Sequence, residues 1–247
     1  MLKNVENLLL TDKQIILDAE KLVTWKKSKN LYNFKQLPKT AILTVYSRKN
    51  SFISSFFRKP IKGIKGNHFL IENGTILLCT GCGYGAPYIV SLCEELRVLG
   101  VANFIFIGVA GCINQRYKEG DLLYVAKTFS GVGTSSYYSQ GEIILPYSKK
   151  WNNQLQKNIQ AHPVSCWSTD APFRESLSLK SFYKEKGAQI VEMECAAIYA
   201  FANYYQLNTA CFTIVSDQLT NEWIPPANPK KLVAIERAFI KNLLKML

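Results

Sequence analysis

Short apolar runs alternate with amphipathic stretches along most of this chain. The apolar runs show no polar alternation, as expected of strands covered on both faces, and they predict strands at 40–46, 74–80, 103–111, 120–130 and 209–215. A further extended segment is expected at 164–169, and 131–148 reads as loop. Helical spacing predicts helices at 87–100, 149–160, 176–187, 190–205 and 229–246. Strand–helix alternation of this kind favours an α/β fold.

The domain organisation follows from the same pattern. We predict a single α/β domain at 40–247, with a mixed central sheet flanked by helices, preceded by a lysine-rich helical leader at 1–39. The chain contains no run of about 18 apolar residues of the kind a transmembrane helix needs. Its first residues also lack the pattern of a secretory signal, so we expect a cytoplasmic protein without membrane partners.

Charge and cysteine content narrow the possible chemistry. The 247 residues carry a formal net charge of +12, but the lysines are dispersed and match no nucleic-acid motif, so we expect a surface that attracts small anions and no nucleic-acid partner. Seven cysteines, an odd number without framework spacing, indicate reduced and buried thiols. Cys79 and Cys82 have redox-motif spacing, but no second pair completes a zinc site.

Small residues and one acid follow the predicted strands. Glycine-rich turns lie at Gly81–Gly85 and Gly108–Gly111, and Ser216 and Asp217 follow the strand at 209–215. Ligands of open α/β folds bind beyond the carboxyl ends of the strands. Turns of this kind can offer backbone N–H groups to an anion or a sugar. We therefore expect a binding site at this edge of the sheet.

The stretch "IVEMECAAIYAFA" at 190–202 places two acids in an otherwise apolar segment. A helix that is apolar all round is buried, and a buried carboxylate needs a partner or a ligand. On one helix, Glu192 and Glu194 would lie about 200° apart and face different neighbours. The spacing alone leaves open which of the two acids binds a ligand and which has a structural partner.

These motifs, in this order, resemble the nucleoside phosphorylase/nucleosidase family. The glycine-rich turn, the G-x-x-G after a second strand, "VEMECAAIYA" and the "SD" pair carry the resemblance, which runs from about Ala41 to the C-terminus. It implies a three-layer phosphorylase-like fold and cleavage of the N-glycosidic bond of a nucleoside. It also implies a homo-oligomer built from dimers, no organic cofactor or metal, and inorganic phosphate as co-substrate.

The resemblance also implies roles for individual residues. Asp217 would protonate the leaving base, which favours a purine because uridine-specific members lack this acid. Glu194 and Met193 would hold the sugar, so Glu192 would point elsewhere, to a structural hydrogen bond or a neighbouring backbone. Phe173 would stack on the base with help from Arg174. Further substrate contacts are expected from Ser216 and Gly83, and phosphate contacts from Arg48, Gly81 and Gly108.

The second substrate of the reaction is the least determined part of the prediction. Phosphate-using members carry an arginine and a Ser or Thr where this chain has Phe106 and Val109. Hydrolytic members place a glutamate after the first strand, and 41–58 contains no Asp or Glu. We predict phosphorolysis with weak phosphate affinity. The alternatives are a nucleoside hydrolase and a non-catalytic nucleoside-binding homologue.

Overall fold

The computed structural model describes residues 14–46, 59–159 and 161–247. Its strands are β1 Thr40–Thr44, β2 Lys59–Ile61, β3 Asn67–Ile71, β4 Ile76–Thr80, β5 Asn103–Cys112, β6 Leu122–Gly131, β7 Ile143–Ile144, β8 His162–Thr169, β9 Ile190–Glu192, β10 Asn208–Leu219 and β11 Trp223–Ile224. Its helices are α1 Ala19–Ser28, α2 Ala86–Val98, α3 Lys149–Asn158, α4 Leu177–Glu185, α5 Cys195–Tyr205 and α6 Pro229–Leu244. Within the described residues, no helix has the length and apolarity needed to cross a membrane.

The strands of the described chain form one mixed sheet in the order β11-β10-β6-β8-β9-β5-β1-β4-β3-β2, with β7 beside β6. β10 also pairs with β5 in parallel, so β5, β9, β8, β6 and β10 close into a ring. β1 runs parallel to both β4 and β5. The carboxyl ends of β1, β4, β5 and β10 therefore lie at the same edge of the sheet.

Apolar clusters cover both faces of this sheet, which explains why its central strands lack alternation. On one face, Leu43 and Phe104 pack with residues of α2 and α5. On the other, Ile42 and Ile105 pack with residues of α3 and α6. The predicted layered α/β architecture, with helices on both sides of a mixed sheet, is therefore present.

The terminal helices are joined to the sheet layers by polar contacts. In α1, Lys26 Nζ lies 2.6 Å from Glu95 Oε1 of α2, and Arg97 of α2 reaches back to Glu20. In α6, the buried Glu236 accepts a hydrogen bond from the Thr44 hydroxyl at the end of β1. The predicted leader thus contains helix α1, while residues 1–13 lie outside the described residues. The division into a leader and a domain stays a prediction.

The prediction of one helix over 190–205 is wrong. Residues 190–192 form β9, which pairs with β8 and β5, and the helix begins only at Cys195. The strand pairing of Glu192 with Ser168 fixes an extended backbone there, and the apolar pattern cannot separate a buried strand from a buried helix. The β2–β3 hairpin at the sheet edge was also not predicted.

Candidate active site

A cavity of about 560 Å³ opens at the carboxyl edge of the sheet. Its walls come from segments far apart in the sequence: the end of β1, the end of β5, the residues after the Pro172–Arg174 turn, the β9–α5 junction and the β10–β11 hairpin. Five residues predicted from the sequence line it, namely Phe173, Met193, Glu194, Ser216 and Asp217. The cavity is therefore the place where the predicted chemistry gathers.

Glu192 organises the β9–α5 junction. Its Oε2 accepts hydrogen bonds from the N–H groups of Glu194 and Cys195, each at 2.7 Å. Its Oε1 accepts from the Ser168 hydroxyl and from the Cys166 thiol. The first N–H groups of a helix have no partner inside the helix, and a carboxylate there is also favoured by the helix dipole. Glu192 thus makes the structural hydrogen bonds, several of them to neighbouring backbone N–H groups, that the resemblance implied for it.

Glu194 follows directly and is aimed at the glycine-rich turn. Its side chain is 3% exposed, and its Oε1 accepts the Gly85 N–H at 2.6 Å. Burial, with a smaller contribution from the charge of Glu192, raises the pKa of Glu194 to about 8. Gly85 has φ +96°, and a side chain built on it would meet the Met193 Cε at 4.0 Å. Gly85 therefore lies beside both Glu194 and Met193. The motif pattern did not identify Gly85 as a partner of these two residues.

Asp217 is held by two donors. The Ser216 hydroxyl donates to its Oδ1, and the Trp223 indole N–H donates to its Oδ2 at 2.8 Å. A bulge in β10 between Val215 and Asp217 brings the aspartate opposite Gly111 of β5. A Cβ on Gly111 would lie only 3.2 Å from Asp217 Oδ2, so glycine permits this close approach. Sequence reasoning missed Trp223, because nothing in the sequence links it to Asp217 before the hairpin forms.

A second acid lines the cavity on the side of the Pro172–Arg174 turn. Glu175 is half-buried, and burial together with the charge of Asp217 raises its pKa to about 7. Among the described residues, no group forms a hydrogen bond or ion pair with its carboxyl. The sequence did not predict Glu175 as a site residue either. It lies two residues after Phe173, in a segment that does not directly follow a predicted strand.

The mouth of the cavity is aromatic. Phe173 is 99% exposed, Trp223 is 65% exposed, and Tyr84 also stands at the rim. A stacking surface for a planar base is therefore available at the entrance. Arg174 is exposed and is not part of the cavity wall, so the structure does not place it with the other predicted residues.

Of the residues predicted to bind phosphate, the described Gly81 and Gly108 are not among those that line the cavity. The Gly81 N–H donates to the Tyr46 carbonyl at 3.0 Å, and the Gly83 N–H donates to the Gly81 carbonyl at 2.9 Å. Gly108 is buried within β5 opposite Thr213. The expectation that these glycines offer unused N–H groups to an anion is corrected for Gly81 and Gly83, because the turn uses them itself. The prediction for Arg48 lies outside the described residues.

The two departures from the phosphate-binding pattern lie in different surroundings. The Phe106 side chain is fully buried in the core and lies where a Cβ on Gly108 would stand. Val109 lines the cavity. Among the described lining residues, Lys180 is the cationic side chain, and its Nζ donates to the Thr220 carbonyl. The acceptor side of the described cavity is thus poor in anion-binding groups.

One cluster of possible metal ligands lies below the cavity. The ligand atoms of Cys166, Glu192 and Cys195 come within 4.8 Å of one another, and all three residues are buried. Burial raises the pKa of Cys166 to about 12 and that of Cys195 well above its usual value, whereas metals bind the thiolate. Glu192 is already used by several donors, so the cluster fits a structural role better than a metal site.

Comparison with known proteins gives a family. The model of the phosphorylase superfamily matches residues 54–245. A purine nucleoside phosphorylase of the DeoD type from Clostridium perfringens is 24% identical over 196 residues, which are 74% of this chain and 83% of that protein. The corresponding enzyme from Brevibacillus brevis is 26% identical over 146 residues, covering 56% and 62%.

Two further matches cover different shares of the proteins compared. The uncharacterized protein R802 of Acanthamoeba polyphaga mimivirus is 28% identical over 136 residues, and the match spans 55% of this chain and 54% of that protein. The chain thus spans a little over half of the length of the mimivirus protein and less than two thirds of that of the Brevibacillus brevis enzyme. The crystal structure of purine nucleoside phosphorylase from Toxoplasma gondii superposes with a TM-score of 0.73 at 16% identity, covering 85% of this chain and 90% of that one. This likeness confirms the predicted fold.

Proposed function

The chain belongs to the phosphorylase superfamily, and from this membership we propose that it cleaves the N-glycosidic bond of a purine nucleoside. The observation that supports the proposal most is that Asp217 and Glu194 line one cavity, whose mouth is aromatic. In the proposed reaction Asp217 serves the leaving base and Glu194 serves the sugar. The relatives named as purine nucleoside phosphorylases support a purine as the base.

The proposed reaction needs three contributions from the chain. Asp217 delivers a proton to N7 of the purine, so that the electron pair of the breaking C1′–N9 bond is accepted by a neutral leaving group. The sugar hydroxyls donate hydrogen bonds to Glu194 and so favour its ionised form, against the burial that raises its pKa in the free protein. Charge-assisted bonds of this kind contribute about 1.5–3 kcal/mol each. Met193 packs on the sugar, and Phe173 stacks on the base.

We propose phosphate as the acceptor, bound weakly. Phosphate arrives charged and needs only cations and N–H donors to hold it. The phosphorylase relatives favour this acceptor. The loss of one charged hydrogen bond at Phe106, about 1.5–3 kcal/mol, corresponds to roughly ten- to a hundredfold lower affinity. The expected product is a pentose 1-phosphate, without metal or organic cofactor, and a homo-oligomer built from dimers stays part of the proposal.

Hydrolysis is the second candidate, because Lys180 is the cationic side chain among the described lining residues and its Nζ already donates to the Thr220 carbonyl. The N–H groups of Gly81 and Gly83 in the glycine-rich turn are likewise used by the chain itself. The test is a panel of purine and pyrimidine nucleosides, each incubated with and without phosphate, with free base and pentose 1-phosphate measured. Phosphate-dependent release of a purine supports the proposal. Equal release without phosphate would replace phosphorolysis by hydrolysis, and binding without any turnover would favour a non-catalytic homologue.

A further inference from the structure

The two carboxyl oxygens of Asp217 have different surroundings. Oδ2 lies 2.8 Å from the indole nitrogen of Trp223, and a Cβ on Gly111 would stand 3.2 Å from the same oxygen. Oδ1 accepts a hydrogen bond from the Ser216 hydroxyl. An indole N–H can only donate, so Oδ2 is an acceptor whether or not the carboxyl group carries a proton. A proton on Asp217 therefore belongs on Oδ1.

The Ser216 hydroxyl is able to adjust to a proton on that oxygen. It lies within hydrogen-bond distance of two acceptors, Asp217 Oδ1 and the Ala110 carbonyl, the second at 3.2 Å. A hydroxyl donates one proton and accepts on its lone pairs. It can therefore turn its proton to Ala110 when Oδ1 is protonated, whereas the indole of Trp223 is a donor in both cases.

The β10–β11 hairpin places the indole beside Asp217. Trp223 pairs with Leu219, so it lies diagonally across the two strands from Asp217. Diagonal neighbours of an antiparallel pair are within reach of an aromatic side chain. Lys180 of α4 donates to the Thr220 carbonyl at the tip of the hairpin and so connects the tip to the helix. The position of the indole is thus set by strand pairing and by a contact with α4.

We propose that Trp223 is the positioning residue of the general acid: its N–H holds Oδ2, so that Oδ1 is the oxygen that gives its proton to the leaving base. The proposal rests on the proposed function and deepens it. The proton moves from Oδ1 to N7, the electron pair of the C1′–N9 bond moves onto the purine, and C1′ bonds to the acceptor oxygen. Asp217 is left ionised with the indole N–H on Oδ2, and solvent returns the proton before the next turnover.

The test begins with Trp223→Phe, which removes the N–H and keeps an aromatic ring at the mouth of the cavity. Its substrates are a purine nucleoside and the N7-methylated form, whose positively charged base leaves as a neutral molecule without protonation. We expect kcat on the ordinary nucleoside to fall roughly ten- to a hundredfold, the size of effect of a misplaced catalytic group. Turnover of the methylated nucleoside should change less than about threefold, because that reaction has no proton transfer to the base.

Two further comparisons separate positioning from a general loss of structure. In the Asp217→Asn background, Trp223→Phe should change kcat on the ordinary nucleoside less than about threefold, since the residue that it positions has lost its proton. Trp25→Phe makes the same chemical change on the exposed side of α1 and should match the wild type on both substrates. An equal loss on both substrates, or a loss that adds in full to that of Asp217→Asn, would overturn the inference and leave the proposed function standing.

The contact itself is tested without substrate, by NMR of the indole N–H groups of the four tryptophans. The Trp223 resonance is identified by its loss in Trp223→Phe, and it should shift in Asp217→Asn, because its acceptor changes from a carboxyl to an amide group. The Trp25 resonance should stay in place. An unmoved Trp223 resonance would overturn the inference alone. A shifted resonance in a protein that turns over neither nucleoside would overturn the proposed function, and with it the role of Trp223 in catalysis.

Discussion

Glu192 and Glu194 are separated by one residue, yet their carboxylates meet different partners. Glu192 receives donors from its own chain on both oxygens, whereas Glu194 accepts the Gly85 N–H on one oxygen at the cavity wall. The expectation that they face different ways agrees with this geometry, although the reason given for it, a shared helix, was wrong. A strand end followed by a helix start separates them instead.

The two acids should therefore respond differently to the same substitution. At pH 9, above the pKa of about 8 of the Glu194 carboxyl, Glu194→Gln should weaken ribonucleoside binding by roughly ten- to a hundredfold, the value of one charged hydrogen bond. Glu192→Gln should lower the free energy of unfolding by about 1–3 kcal/mol, because an amide nitrogen then faces buried N–H groups. Calorimetric titration and urea denaturation measure the two quantities. If the two phenotypes are exchanged, the assignment of roles is wrong.

Asp217 is the residue at which turnover and binding should separate. Asp217→Asn keeps the size of the side chain but removes the group that passes a proton to N7. We expect kcat on a purine nucleoside to fall about 10²–10⁴-fold, while the nucleoside dissociation constant changes little. Steady-state kinetics with a separate binding measurement checks this. Turnover at the wild-type rate would exclude Asp217 as the acid.

The sequence predicted the motif residues of the cavity but not their supporting partners. Glu194, Met193, Ser216 and Asp217 stand in short motifs whose order could be read directly, and all four line the cavity. Trp223 and Glu175 reach it only because a hairpin and a turn fold over the opening, which no local pattern encodes. The roles of all these residues stay predictions.

At the scale of elements, the apolar runs identified the central strands because burial on both faces leaves a continuous signal. The same signal failed at β9, where three apolar or acidic residues are too few to distinguish a strand from the start of α5. It also could not reveal the bulge in β10 that turns Asp217 toward Gly111, since a bulge depends on pairing with another strand. The sequence pattern therefore predicted where most strands lie but not which strands pair with each other.

Gly85 joins the glycine-rich turn to the β9–α5 junction, so a change there should affect both stability and binding. Its φ of +96° disfavours any side chain, and a methyl group would reach the Met193 Cε. Gly85→Ala should cost about 1–3 kcal/mol of stability and also weaken nucleoside binding. Gly187→Ala is the matched control, because Gly187 has φ +97° and nothing within 4 Å. Equal binding by both variants would contradict the role of the turn.

At the scale of the whole molecule, the buried acids make stability depend on pH. The pKa of Glu194 rises from 4.5 to about 8, and that of Glu175 from 4.5 to about 7. The unfolded chain releases these protons at lower pH than the folded protein does. Their contribution to stability is therefore present at low pH and is lost as pH rises through 7 and 8.

These two contributions fall as pH rises from about 4.5, the pKa of the unfolded groups, to about 8 and level off above it, so we expect the free energy of unfolding to fall between pH 7 and pH 8. This window avoids His68, whose pKa is lowered by burial and which acts in the opposite sense at lower pH. Urea denaturation at several pH values measures the slope for the wild type and for Glu194→Gln. The slope should be shallower in the variant, and an identical slope in both proteins would contradict the raised pKa of Glu194.

The closed ring of strands also has a consequence for the speed of folding. Its β5–β10 pairing joins residues 105 positions apart at Asn103 and Asn208, and the contact between Gly85 and Glu194 spans 109 positions. Contacts of such long sequence separation require large loops to close, and they make folding slow. The active cavity should therefore be completed late, so that in refolding experiments the recovery of nucleoside binding lags behind the recovery of helical circular dichroism.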